Sequence, residues 1–150
     1  MCHVPLLPAL EMSACAFDTV LGLCNHLEYL QACPINELMQ LITNLHLCEC
    51  LPVGFLDLLD ADNRTVCFRA ALVCYSITSA TQVPHEMQLR VILANWTGKG
   101  CLVSAGTGSG KTLPIALCML LDDPAKSLMT WTLSPLKHLQ SMQESEFNSQ

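Results

Sequence analysis

The segment Ala105-Gly106-Thr107-Gly108-Ser109-Gly110-Lys111-Thr112 bears most directly on chemistry. It fits the phosphate-loop pattern Gly-x4-Gly-Lys-Ser/Thr everywhere except the first position, where Ala105 stands. Gly106, Gly108 and Gly110 carry no Cβ, so the backbone can turn tightly and aim its N–H groups inward. A helix that opens directly after the loop adds the partial positive charge of its N-terminus at the same place. Lys111 brings a cation of the right reach for β- and γ-phosphates, and Thr112 brings a hydroxyl for Mg²⁺. The chemistry implied is the grip of a magnesium-bound triphosphate, with all eight residues as phosphate contacts and Thr112 also as the metal contact.

Such a loop needs a strand before it and a helix after it. Cys101-Leu102-Val103-Ser104 has the length and apolarity of a buried parallel strand. Leu113 to Leu121 reads as the helix, with Pro114 tolerated in its first turn. Leu128 to Leu133, with Thr130, Trp131 and Thr132, reads as a second strand, and a polar helix follows from Leu136 to about Glu144. The order β-α-β-α predicts an α/β parallel sheet with right-handed crossovers.

The residues before this region have a different rhythm. Phe17, Val20, Leu21, Cys24, Leu27 and Leu30 recur at helical spacing, and Ile35, Leu38, Met39, Ile42 and Leu45 repeat the pattern after Pro34. Asp60 to Asn63 reads as a polar loop and Val66 to Tyr75 as an apolar helix. Met87 to Trp96 forms a further helix, closed by a turn at Thr97-Gly98-Lys99-Gly100. The predicted division is a helical segment over 1–79, of open role, and a nucleotide-binding region over 84–150.

The loop resembles motif I of superfamily 2 helicases, the DEAD/DEAH-box and RecQ-like group. Gln88 lies 23 residues before Lys111, which is similar to the glutamine that reads adenine in RecQ-like enzymes. Ser134-Pro135-Leu136-Lys137-His138-Leu139 resembles their motif Ia, which lies near the nucleic-acid path. The resemblance covers 84–150. It implies the fold of an incomplete RecA-like sheet, ATP and Mg²⁺ as cofactors, Gln88 at the adenine, and Ser134, Pro135 and Leu136 at nucleic acid, DNA rather than RNA. Two positions depart from the family: Gly106 stands in place of a proline, and Gly100 where an aspartate is common. No Asp-Glu-x-His/Asp box follows Lys111, and the arginine fingers of a second lobe are absent from these residues. Phosphoryl transfer relies on such groups for positioning and charge stabilisation. The expectation is therefore a truncated helicase portion that binds ATP and nucleic acid without hydrolysing ATP by itself, and with no catalytic residue of its own. Two alternatives stand beside it: a non-enzymatic helical interaction module carrying a vestigial phosphate loop, and another phosphate-loop NTPase or kinase.

Composition bounds these readings. Of 150 residues, 51% are apolar and 13% charged, which excludes a mainly disordered chain. A net charge of −6 excludes nucleic-acid binding by bulk positive charge. Ten cysteines contain no Cys-x-x-Cys pair, and His46, Cys48 and Cys50 do not have zinc-ligand spacing. Pro5 and Pro8 interrupt the first apolar run, which also lacks Lys and Arg, so no secretion signal is read. The expected setting is intracellular, nuclear or cytoplasmic, with cysteine as a small buried residue. No stretch is apolar over the 18 or so residues a membrane span requires. Apolar surface left open by an incomplete sheet predicts self-association.

Overall fold

The computed structural model describes residues 20–106, 108–122, 144, 145 and 148. Among the described residues the regular structure is helical. It comprises α1 (Val20–Ala32), α2 (Ile35–Asn44), α3 (Val53–Leu56), α4 (Ala61–Ile77), α5 (Glu86–Trp96) and α6 (Leu113–Leu121), with a 3-10 turn at Leu47–Glu49.

The longest helix, α4, is the hub. Its run Val66-Cys67-Phe68 and Ala70-Ala71-Leu72-Val73-Cys74 is buried, so the helix is apolar on nearly every side. A helix of that kind must be covered all round. α1, α2, α5 and α6 pack against it. Ala70 and Ala71, both fully buried, let these neighbours approach closely. Burial of each leucine such as Leu38, Leu72, Leu89 or Leu117 contributes roughly 1.5–3 kcal/mol.

Local chemistry sets the helix ends. Asp60 caps α4: its carboxylate accepts the Asn63 N–H at 2.8 Å and the Asn63 side-chain amide at 2.7 Å. These bonds hold its carboxyl below the usual aspartate range. The stretch read as a polar loop is thus the cap and first turn of α4. Arg64 reaches back to clamp the α3 turn, donating to the carbonyls of Leu56 at 3.1 Å and Leu59 at 2.9 Å. α4 ends with Ser79 in the left-handed region and the Ala80 N–H on the Tyr75 carbonyl at 2.8 Å.

The described residues do not form the predicted α/β parallel sheet. Residues 101–104 are not a strand, and no strand occurs among the described residues. A strand persists only when a neighbour pairs with its N–H and C=O groups. A parallel one must also be covered on both faces. Leu102 is instead 99% exposed, and Cys101 is exposed beside it. The core among the described residues is built instead by the helices packed around α4. The second predicted strand, Leu128 to Leu133, lies outside the described residues. The turn at residues 78–82 separates α4 from α5 in sequence, yet the helices on either side of it share one core. Among the described residues no helix is long and apolar enough to cross a membrane.

Candidate functional site

The loop 105–112 connects to the bundle through α5 and α6, which pack on each other and on α4. α5 is anchored by Leu89 and Ile92, and α6 by Ala116, Leu117 and Leu121, all buried. Pro114 occupies the first turn of α6, where its missing N–H costs no hydrogen bond. The far end of α6 is held by the Gln31 side chain, whose Nε2 donates to the Asp122 carbonyl at 3.1 Å. The helix after the loop thus has the bounds that the sequence predicts, Leu113–Leu121.

α5 ends in a Schellman turn. Gly98 takes φ +68°, the Lys99 N–H reaches the Ala94 carbonyl at 2.7 Å, and the Gly98 N–H reaches Asn95 at 3.0 Å. The chain then runs exposed through 99–102 toward the loop.

Lys111 curls back over the loop. Its Nζ donates to the Ala105 carbonyl at 2.6 Å and to the Gly106 carbonyl at 2.8 Å. An ammonium carries three donors, so one remains on this exposed side chain. Gly108 takes φ +79° and Gly110 φ +68°, a backbone region that other residues enter at a cost of about 1–2 kcal/mol. Thr112 directly precedes α6, and its side chain makes no capping hydrogen bond. In the first turn of α6 Pro114 has no N–H, and the Ile115 and Ala116 N–H groups both donate to the Thr112 carbonyl, at 3.1 and 3.2 Å. The Ser109 hydroxyl is buried without a hydrogen-bond partner. Thr107 lies outside the described residues.

Gln88 is buried, at 4% exposure, and both ends of its amide are engaged. Its Oε1 accepts the His85 N–H at 3.0 Å, which closes the N-terminus of α5. Its Nε2 donates to the Gly110 carbonyl at 2.9 Å. The contact is close enough that a Cβ on Gly110 would stand 2.5 Å from that nitrogen. A second tie runs beside it, from His85 Nε2 to the Ser109 carbonyl at 3.4 Å. The structure therefore brings Gln88 together with the loop, 22 residues away in sequence, at the backbone of Gly110.

Ser134, Pro135 and Leu136, read as the nucleic-acid contact, lie outside the described residues. Trp96 is 46% exposed at the end of α5. His46 is exposed and takes φ 55° just past the end of α2. The tie of His85 to the loop was not read from the sequence. Nothing in the spacing of a lone histidine signals it.

No protein-family model matches this chain, nor does any curated protein or solved structure.

Proposed function

We propose that this chain is a helical module that holds the polyphosphate of a magnesium-bound nucleoside triphosphate, ATP by its resemblance, in the loop 105–112. The observation that carries the reading is the loop itself, which keeps the helix expected after it although 101–104 form no strand before it. It runs through two glycines at positive φ into the N-terminus of α6, with the Lys111 ammonium folded over its mouth. Lys111 would trade its two loop carbonyls for phosphate oxygens, which form stronger, charge-assisted hydrogen bonds. The unpartnered Ser109 hydroxyl fits the same role, because a buried orphan of this kind costs about 1–3 kcal/mol until a ligand or a loop shift satisfies it. The Thr112 hydroxyl, not spent on a cap, would hold Mg²⁺, which supplies charge neutralisation between phosphates.

The grip is proposed without cleavage. The chain contains no Asp-Glu-x-His/Asp box, and no group of three His, Cys, Asp or Glu stands together among the described residues. The test is a titration of a fluorescent ATP analogue with Mg²⁺ against the wild type and Lys111→Ala. Saturable binding by the wild type and its loss in Lys111→Ala is the expected result. Equal signals from the two proteins overturn the proposal. Lys111-dependent phosphate release would show that a cleaving carboxylate is present after all.

A further inference from the structure

We infer that Gln88 is a positioning residue for the phosphate loop, and that the loop takes polyphosphate whatever base is attached. The inference rests on the proposed phosphate-binding role of 105–112.

An amide that reads a base edge needs one donor and one acceptor facing the ligand. Burial keeps Gln88 from offering either. Its Oε1 accepts the His85 N–H at 3.0 Å and one of its two amide hydrogens goes to the Gly110 carbonyl at 2.9 Å, so the amide is held at both ends. At 4% exposure the side chain has no route to a ligand that leaves these partners in place. Releasing it would bury an unpaired carbonyl and an unpaired N–H, which the burial makes costly. Its geometry suits a different task. The donor fixes the carbonyl of the residue directly before Lys111, so it sets where the lysine stem leaves the loop. Gly110, at φ +68°, is the residue that permits the close approach, since a Cβ there meets Gln88 Nε2 at 2.5 Å. The acceptor ties that same amide to the N-terminus of α5. Gln88 thus fixes the loop to the bundle, and base identity has no reader in this contact.

The experiment titrates MgATP, MgGTP and magnesium tripolyphosphate against the full chain, by calorimetry, for wild type, Gln88→Ala and Gln88→Glu. Gln88→Glu keeps the acceptor for His85 and loses the donor to Gly110. It therefore tests positioning even where Gln88→Ala fails to fold. The expected result is that the wild type binds all three probes with affinities alike, and that each folded variant weakens all three by a common factor of about tenfold. A merely structural role leaves the affinity of the folded fraction, measured beside far-UV circular dichroism, at the wild-type value, and that result overturns the inference. A wild type that prefers ATP, with the preference lost in the variants, makes Gln88 an adenine reader and also overturns it. Binding of none of the probes by the wild type overturns the phosphate-binding reading and the inference with it.

Discussion

Gly110→Ala probes the contact between the loop and α5, and its cost can be set against Gly108→Ala. Both glycines have positive φ, +68° and +79°, so an alanine at either pays about 1–2 kcal/mol of backbone strain. The surroundings differ. A Cβ on Gly108 meets nothing within 4 Å, whereas one on Gly110 meets Gln88 Nε2 at 2.5 Å. Gln88 is buried and cannot swing into water, so its displacement breaks the bond to the Gly110 carbonyl. Leaving such a group unsatisfied adds about 1–3 kcal/mol. The sum is about 2–5 kcal/mol for Gly110→Ala against about 1–2 for Gly108→Ala. The loop joins α5 to α6, which contribute Leu89, Ile92, Leu117 and Leu121 to the core, so the cost reaches global unfolding. Urea unfolding followed by circular dichroism reads both variants. In heat, each kcal/mol corresponds to about 2–4 °C in Tm for a chain of this size. The double variant Gly110→Ala/Gln88→Ala removes the obstructing amide, so its loss falls short of the sum of the two single losses. Equal destabilisation by Gly108→Ala and Gly110→Ala, or strict additivity in the double variant, would refute the contact.

Three further outcomes follow from the structure. Ser79 and Ala80 take φ 50° and 65° in succession, so Ala80→Gly relieves strain and stabilises the fold by up to about 1 kcal/mol after the added chain entropy of glycine, read as a higher urea midpoint; a lowered midpoint contradicts the turn geometry. Burial holds the His26 imidazole below its ordinary pKa of 6.5, and its Nε2 donates to Ser76 Oγ at 3.0 Å, the serine hydrogen being spent on the Leu72 carbonyl. The unfolded chain therefore binds the proton more readily, so the His26 contribution to stability is complete above pH 6.5 and is lost as pH falls from 6.5 toward the lower folded value. His26→Gln flattens the unfolding midpoint over that window, and an unchanged pH profile sinks the assignment. Burial pushes the thiols of Cys67 up to about 12 and of Cys74 and Cys118 up to about 11, while Cys24, Cys48, Cys50 and Cys101 are exposed. Thiol labelling of the native protein at pH 8, read by peptide mapping, should mark those four and spare Cys67 and Cys74 until the chain unfolds.

Helix periodicity was the legible part of the sequence. Leu38 and Ile42 are buried as the pattern demands, whereas Met39 of the same pattern is 47% exposed and Leu41, outside it, is buried; α6 has the predicted bounds. The stretch 101–104 misled for a physical reason. A short apolar run specifies a strand only when partner strands exist, and local sequence does not report partners. Here the helices around α4 take the core, and Leu102 is left in solvent. Four exposed cysteines depart likewise from the expectation of burial, which holds for Cys33, Cys67 and Cys74. The loop glycines were legible because positive φ is a local demand, and Gly108 and Gly110 meet it. The engagement of Gln88 was not, because it depends on how α5 and α6 dock. Its place at the third residue of α5, the position from which a glutamine reaches back to the helix N-terminus, was the available signal.

The most direct measurement of the phosphate grip is residue-resolved. Amide spectra of the ¹⁵N-labelled chain, recorded as MgATP is added, report which backbone N–H groups meet the ligand. The expected result is saturable shifts concentrated at Gly106, Gly108 to Thr112 and the first turn of α6, absent in Lys111→Ala. Shifts spread elsewhere on the bundle, or unchanged loop amides at saturating nucleotide, would contradict a phosphate-binding loop at 105–112.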